Sequence, residues 1–467
     1  MKLSLPLKKI HFIGIGGIGM SAIAEMLHDI GIAVQGSDAV QNANTVRVAK
    51  QGIPVFIGHD LKNLDGADAV VISSAIKPDN PELIEARRRG LPVGHRSEML
   101  AEILKYKQSI CVSGTHGKTT TSSLIASLMM ESGKKPSFII GGILNAKASN
   151  AQLGKGDWVV VEADESDGSF LRLPTTISVI TNIDPEHLDY YRTFENEKNA
   201  YRTFIQKTSF YGCTVACFDH PVVRELIASV PERKIITYGL SKQADVHPDH
   251  IRPTRTGFIL DIFVRQGHKF RKLKDVILSL MGEHNIANAM AMVAIGSYLN
   301  LSDKAIRKTL SSFKGIQRRL TFRGTIGHEI CIYDDYAHHP VEIRATIRAL
   351  KNSAPHQVVA VFQPHRYTRL RDLWQDFLGA FDEADAVLVC DVYSAGESPI
   401  PDITGAKFAQ ELSQKHRQVQ YVSDFENLPA ALQKVLQPQD YIVCLGAGSI
   451  SAQSVVLAQK MKGMVKC

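Results

Sequence analysis

The segment Gly114-Thr115-His116-Gly117-Lys118-Thr119-Thr120 is the clearest chemical statement in this sequence. It sits between the apolar run ICVS and the helical stretch SSLIASLMMES. Backbone N–H groups of such a turn can cradle phosphate, a lysine can reach β- and γ-phosphates, and the Thr119 hydroxyl can bind magnesium. The strict phosphate-loop pattern has glycine six positions before the lysine, where this chain has Val112. The strand, turn and helix survive that departure, so ATP binding is the reading.

Two further loops follow strands. Glu162-Ala163-Asp164-Glu165-Ser166-Asp167 comes after WVVV, and carboxylates at a strand's end suit a magnesium ion beside phosphate. Alone, the run has a solvated acidic loop as its lesser alternative. The strand ISVITNI leads into Asp184-Pro185-Glu186-His187-Leu188-Asp189. His187 would be incidental in isolation, but after the phosphate and acidic loops it is a candidate metal ligand.

Gly14-Ile15-Gly16-Gly17-Ile18-Gly19 satisfies G-x-G-x-x-G between a strand and a helix, with Asp38 about 20 residues on. Such glycines let backbone approach a pyrophosphate at the helix N-terminus. NAD and UDP-sugars share that group, and a bare structural turn is the third alternative. Toward the C-terminus, His338-His339-Pro340 either holds a ligand or simply starts a helix with proline first. Arg366, Arg369 and Arg371 are either a carboxylate site or a solvated basic face. Asn285 and Asn288 share one helical face, where asparagine also serves to link helices.

The elements that must position these residues alternate between apolar strands and amphipathic helices almost throughout. That order predicts α/β architecture with mainly parallel sheets. Strand-turn-helix units begin at residues 9–30, 109–132 and 441–460. With 467 residues, three domains are expected: 1–106, Rossmann-like; 107–316, a central P-loop-type ATPase; and 317–467, again Rossmann-like. The breaks fall near Tyr106 and near Ile316, after a helical stretch at 284–299 and the link KGIQRR.

A net charge of +7, scattered rather than striped, argues against nucleic acid and fits small anionic substrates. No run approaches the roughly 18 apolar residues that span a bilayer, so no membrane insertion is expected. The basic-then-apolar start breaks into glycines without a cleavage site, and reads as a first strand rather than a signal peptide. Seven cysteines without C-x-x-C indicate reduced thiols and a cytoplasmic setting. The chain is expected to be a monomer or a homodimer.

In order, GTHGKTTT, EADESDGSF, TNIDPEHLDYY and GEHNIANAMA resemble the central ATPase domain of the Mur ligase family. IHFIGIGGIGMSAIAEML with GSD at 36–38, DDYAHHP and QPHRYTR narrow the resemblance to the branch that joins L-alanine to UDP-N-acetylmuramate. The likeness runs through all three expected domains. It implies that residues 114–120 hold ATP, with Lys118 on the γ-phosphate. It also implies two magnesium ions, or manganese in their place, one on Thr119 and Glu162 and the other on Glu162 and His187. Asn285 and Asn288 would lie near adenine, Arg319 would contact ATP, and Asp335 would close the nucleotide site. Gly14, Gly16, Gly17, Gly19, Ser37, Ser74 and Arg96 would contact UDP-muramate, and His338, Arg366 and Arg369 would surround alanine. Several relatives carry a carbamylated lysine after the metal histidine. Here that window holds Tyr201-Arg202, with Lys198 nearby, so none is expected.

The implied reaction is carboxylate activation by ATP, then amide formation through an acyl phosphate, with Lys118, Glu162, His187 and His338 as the catalytic set. Domain closure about residues near 106 and 316 would accompany it. The alternatives are a ligase that reattaches a murein peptide, a nicotinamide oxidoreductase built on the first glycine motif, and a non-catalytic nucleotide switch.

Overall fold

The computed structural model describes residues 7–105, 107–144, 149–254 and 256–464; the expected boundary residue Tyr106 lies outside them. Three sheets organise the described residues. In the first, the strands run in the order Val55–Ile57, Ala33–Asp38, Lys9–Ile13, Ala69–Ile72 and Val93–His95, all parallel. The first strand to enter lies at the centre, and helical crossovers build outward on both sides, as in a Rossmann-like sheet. Its carboxyl edge therefore collects the residues after Ile13, Asp38, Ile72 and His95.

The second sheet has ten strands. At its heart, Gln108–Ser113 lies between Ile177–Ile180 and Trp158–Glu162, both parallel to it. Cys213–Cys217, Ile235–Tyr238 and Ser137–Leu144 extend the parallel set, and Ser149–Gln152 closes one edge antiparallel. The other edge departs from the expected strand-helix alternation. Val246–Thr254, Gly257–Gln266 and Lys269–Leu278 follow one another without helices. Gly267, with φ +60°, supplies a left-handed turn between the last two.

The third sheet runs Thr321–Ile326, Ile330–Asp335, Tyr441–Leu445, Val358–Phe362, Ala386–Cys390 and Val419–Val422. Only the first pair is antiparallel. Along Val358–Phe362 the side chains of Val358, Ala360 and Phe362 enter one core, with Ile343, Phe381 and Phe408. Val359 and Val361 enter another, with Ile442, Ile450 and Leu457. Period-two alternation with both faces apolar is what a helix-covered parallel sheet requires.

The chain forms two compact units. The first runs to Ile251 and adds Leu260–Leu278 and Ala287–Lys314; the second comprises Arg252–Ile259, Ser279–Ile286 and the chain from Gly315 onward. Among the described residues no helix is long and apolar enough to cross a membrane. The described cysteines are unpaired and, apart from half-buried Cys331, buried, consistent with small core hydrophobes.

Candidate active site

The strand order of the central sheet brings three loops to one carboxyl edge. Gly114 has φ +138° and stands so close to Thr181 that an added Cβ would lie 2.0 Å from its Oγ1. Gly117 has φ +82°, and its Cβ would lie 2.7 Å from Asn288 Oδ1. Both positions therefore demand glycine, for space and for conformation. The turn is knit to the neighbouring loop: Thr115 N donates to Asn182 O (3.2 Å), His116 N to Asn182 Oδ1 (2.7 Å), and Thr181 Oγ1 to His116 O (2.6 Å). The helix Lys118–Glu131 then starts without a side-chain cap, leaving its first N–H groups suited to an anion.

Lys118 is folded back over this turn. Its ammonium donates to Gly114 O (2.5 Å), Thr115 O (3.1 Å) and Glu165 Oε1 (2.6 Å). Burial works against its charge, but Glu165, Glu162 and Asp164 outweigh that and raise its pKa. Burial lifts the Glu165 carboxyl to about 7 even with Lys118 beside it. The lysine is thus a stored cation, held by groups it can exchange for phosphate oxygens.

Thr119 Oγ1 donates to Glu162 Oε1 (2.9 Å), while Glu162 Oε2 accepts from Gly141 N (2.7 Å). His187, at φ +55°, begins the short helix Leu188–Tyr191. Its Nε2 lies 3.9 Å from Glu165 Oε1 and from Glu186 Oε2. No group of three or more His, Cys, Asp and Glu side chains among the described residues forms a metal cage. A hydroxyl and a carboxylate one hydrogen bond apart nevertheless fit magnesium, which takes few protein ligands and completes its shell with phosphate and water. Beside them Asp184 links two histidines, His116 (3.6 Å) and His220 (3.3 Å).

The first sheet builds a second crevice in the same unit. Gly14 N and Ile15 N donate to Ser37 O (2.8 and 2.9 Å), and Gly16 N donates to Asp38 Oδ2 (2.8 Å). A Cβ on Gly16 would fall 2.5 Å from Asn42 Nδ2. The Ser37 hydroxyl is turned inward, donating to buried Glu82 (2.5 Å). Its backbone, rather than its hydroxyl, shapes the glycine loop. Arg96 passes over Gly19, 3.0 Å from where a Cβ would stand, and donates to Asp164 Oδ2 (2.8 Å). Ser74 Oγ donates to Asp167 Oδ2 (2.5 Å). The acidic loop therefore holds Lys118 through Glu165, and Arg96 and Ser74 through its aspartates.

In the second unit the carboxyl edge of the third sheet carries Asp335, His338, His365, Arg366 and Arg369. Asp335 accepts from Leu320 N (2.7 Å) and Ala337 N (2.8 Å); burial nonetheless lifts it to about 6, although Arg319 opposes the rise. Pro340 does begin the helix Pro340–Lys351, with the His339 side chain accepting from Val341 N. His338 Nδ1 lies 2.9 Å from Tyr336 O; since a carbonyl only accepts, Nδ1 carries the proton. Arg369 Nη1 lies 3.1 Å from His365 Nδ1, which must therefore accept. Burial, with His338, Arg369 and Arg366 nearby, pushes His365 down to about 3, and its ring stacks on Tyr393. Arg366, at φ +71°, pairs with Glu397 (3.0 Å). Asn285 Nδ2 donates to Met281 O (2.7 Å).

Family models match along the chain: the Mur ligase catalytic domain over residues 9–108, the Mur ligase middle domain over 112–296, and the Mur ligase glutamate ligase domain over 318–448. The chain belongs to the Mur ligase family. Among its relatives, the UDP-N-acetylmuramate–L-alanine ligase of Chelativorans sp. is 46% identical over 99% of this chain and 100% of its own length. The enzyme of that name from Rhodospirillum rubrum is 47% identical over 99% of this chain and 96% of its own. A solved UDP-N-acetylmuramate-alanine ligase from Thermotoga maritima superposes with a TM-score of 0.82 at 28% identity, covering 98% of this chain and 100% of the other. A murein peptide ligase from Psychrobacter arcticus shares the fold, with a TM-score of 0.70 at 20% identity over 98% of this chain and 100% of its own.

Within this Mur ligase, the sequence singles out Lys118, Thr119 and Glu162, and the structure brings them together. It also sets Arg96 against the glycine loop, and His338 on the same sheet edge as Arg366 and Arg369. Asn288 accepts from Thr121 Oγ1 (3.1 Å) beside the phosphate turn. Residues that the sequence reading did not single out include Glu165 as the lysine's partner, His365, Tyr393, Glu397 and Glu82. Glu165 lay within a noted acidic run and His365 within the quoted QPHRYTR; the others carry no local signature.

Proposed function

We propose that this Mur ligase joins L-alanine to the lactoyl carboxylate of UDP-N-acetylmuramate, consuming ATP and releasing ADP and phosphate. The observation that carries the reading is the buried, charged Lys118 on a glycine turn, in a chain about 46% identical over its full length to ligases of that name. The carboxylate attacks the γ-phosphorus of ATP, and ADP leaves with the β–γ bridging oxygen. The alanine amine, as its neutral form, attacks the resulting acyl phosphate; phosphate leaves and the amine gives up a proton.

Phosphoryl transfer asks the protein for alignment and charge neutralisation rather than covalent help. Lys118 would exchange Glu165 and two loop carbonyls for phosphate oxygens. Thr119 and Glu162 would hold one magnesium ion, and Glu162 with His187 a second; bound there, the metal neutralises charge building on the transferred group. Gly14, Gly16, Gly17, Gly19, Ser74 and Arg96 would receive the UDP-sugar. Asn285, Asn288, Arg319 and Asp335 are assigned to the nucleotide on family resemblance. With Nδ1 protonated toward Tyr336, His338 carries its lone pair on Nε2, the arrangement a proton acceptor for the amine needs. Arg366 and Arg369 offer paired donors to the alanine carboxylate. A reducing cytoplasm is the setting this substrate set calls for.

Product analysis tests the assignment: ATP, magnesium and UDP-N-acetylmuramate are supplied with L-alanine, glycine or a murein tripeptide, and the product mass is read. A single alanyl addition is expected; ligation of the tripeptide in preference to alanine would replace this reading with peptide reattachment.

A further inference from the structure

Glu82 is wholly buried beside the first sheet, yet it is reached from three separate parts of the chain. Its Oε2 accepts from Ser37 Oγ (2.5 Å) and lies 3.3 Å from both His11 Nε2 and His59 Nδ1. Its Oε1 accepts from Asn63 Nδ2 (2.6 Å) and Asp60 N (3.3 Å). The orientation of this network follows from its edges. Gln35 Nε2 donates to Asn63 O (2.6 Å), so it is the amide nitrogen that also faces His11 Nδ1 at 3.4 Å. His11 Nδ1 must then accept, which leaves Nε2–H to donate to Glu82. Burial alone would lift this carboxyl, but the bonds from His11, Ser37 and Asn63 outweigh it and hold Glu82 at about 2. It is an ionised, fully satisfied acceptor.

The groups it holds border the glycine-loop crevice. Ser37 gives its carbonyl to the amides of Gly14 and Ile15, and Asp38 accepts from Gly16 N and, through its own carbonyl, from Gly58 N (2.8 Å). His59 follows Gly58 directly and keeps part of its ring exposed. One buried carboxylate thus fixes both the strand end that shapes the glycine loop and the facing segment 58–63.

We propose that Glu82 is a positioning residue for the nucleotide portion of the UDP-sugar, acting through Ser37 and His59 without touching the ligand. The inference rests on the glycine-loop crevice of the first sheet receiving a UDP-sugar. In Glu82→Gln the acceptor-only carboxylate becomes an amide with two donors aimed at donors.

The test measures all three Michaelis constants, with UDP binding by calorimetry, for the full-length protein and for Glu82→Gln and Asn63→Ala. For Glu82→Gln we expect the UDP-N-acetylmuramate KM and the UDP Kd to rise about tenfold or more, with kcat and the ATP and alanine KM values held. Asn63→Ala, which removes one donor and is the milder change, should shift the same two constants in the same direction by less. Variants that bind UDP like the wild type, or that change all three KM values together, would overturn the role of Glu82. A wild-type protein that failed to bind UDP would instead overturn the assignment of the crevice.

Discussion

The two strand-glycine-helix turns of this Mur ligase share a backbone plan and differ in the buried charge beneath them. Under the N-terminal loop, Glu82 has a donor for every lone pair in use and stays near 2. Under the phosphate loop, Glu165 sits at about 7 and Glu197 at about 8, both lifted chiefly by burial. Glu197 accepts from Glu186 N (3.3 Å) through one oxygen, while the other has no partner among the described residues. A carboxylate saturated with donors makes a rigid wall. The Glu165 carboxyl, lifted by burial even though it accepts from Lys118 (2.6 Å) and Ser113 Oγ (3.3 Å), is the partner that the proposed exchange for phosphate would release.

Breaking the lysine should produce the largest contrast. Lys118→Ala is expected to cut turnover by about a thousandfold or more, from the loss of charge stabilisation at the transferring phosphoryl group. ADP release measures this, with a thermal melt to verify folding; near-normal turnover would contradict the phosphate assignment.

Alanine at the tight glycines separates the loops by substrate. Gly117→Ala meets both a left-handed backbone and Asn288, and should raise the ATP KM by about tenfold or more. Gly16→Ala meets Asn42 and Asp38, and should raise the UDP-N-acetylmuramate KM comparably while sparing ATP. Initial-rate measurements with each substrate varied in turn would reveal crossed effects, which would mean that the two loops are not separate binding elements.

Outside both loops, Arg369→Ala should raise the alanine KM by about tenfold with little change in the other two. An unchanged alanine KM would remove Arg369 from that site.

A separate effect concerns stability and leaves the substrate constants alone. Glu197 is raised to about 8 in the folded chain, against about 4.3 unfolded. Its neutral form is the one that folding favours, so its stabilising contribution is complete below about pH 4 and is lost as pH rises toward 8. Glu197→Gln mimics the neutral acid and should remove this loss. Melting curves should coincide at low pH and diverge in the variant's favour, by up to about 1.4 kcal/mol per pH unit across that window. Parallel curves would indicate that Glu197 is not held neutral.

What the sequence made legible was local. The phosphate turn is readable because Gly114 and Gly117 have no substitute at their backbone angles and clearances, and the three strand-turn-helix beginnings appear where periodicity places them. The ribbon of strands 246–278 was not legible, since its partly exposed strands interrupt the alternation that the rest of the chain keeps. Glu165 was visible as an acid but not as the lysine's partner, because 47 positions separate them and only the strand order makes them neighbours. Glu82 and His11, 71 positions apart, left no trace, since a buried polar network is specified by tertiary packing. Ser37 shows the converse: sequence resemblance pointed to it only as a UDP-muramate contact, and the fold shows its carbonyl on the loop and its hydroxyl on Glu82.

The most direct measurement follows ADP release from the wild-type protein with magnesium while ATP, UDP-N-acetylmuramate and L-alanine are omitted one at a time. ADP should form steadily only when all three are present, matched by phosphate and by an alanyl product. A folded protein that releases no ADP with the full set, or releases it at the same rate without the UDP-sugar, would contradict the account.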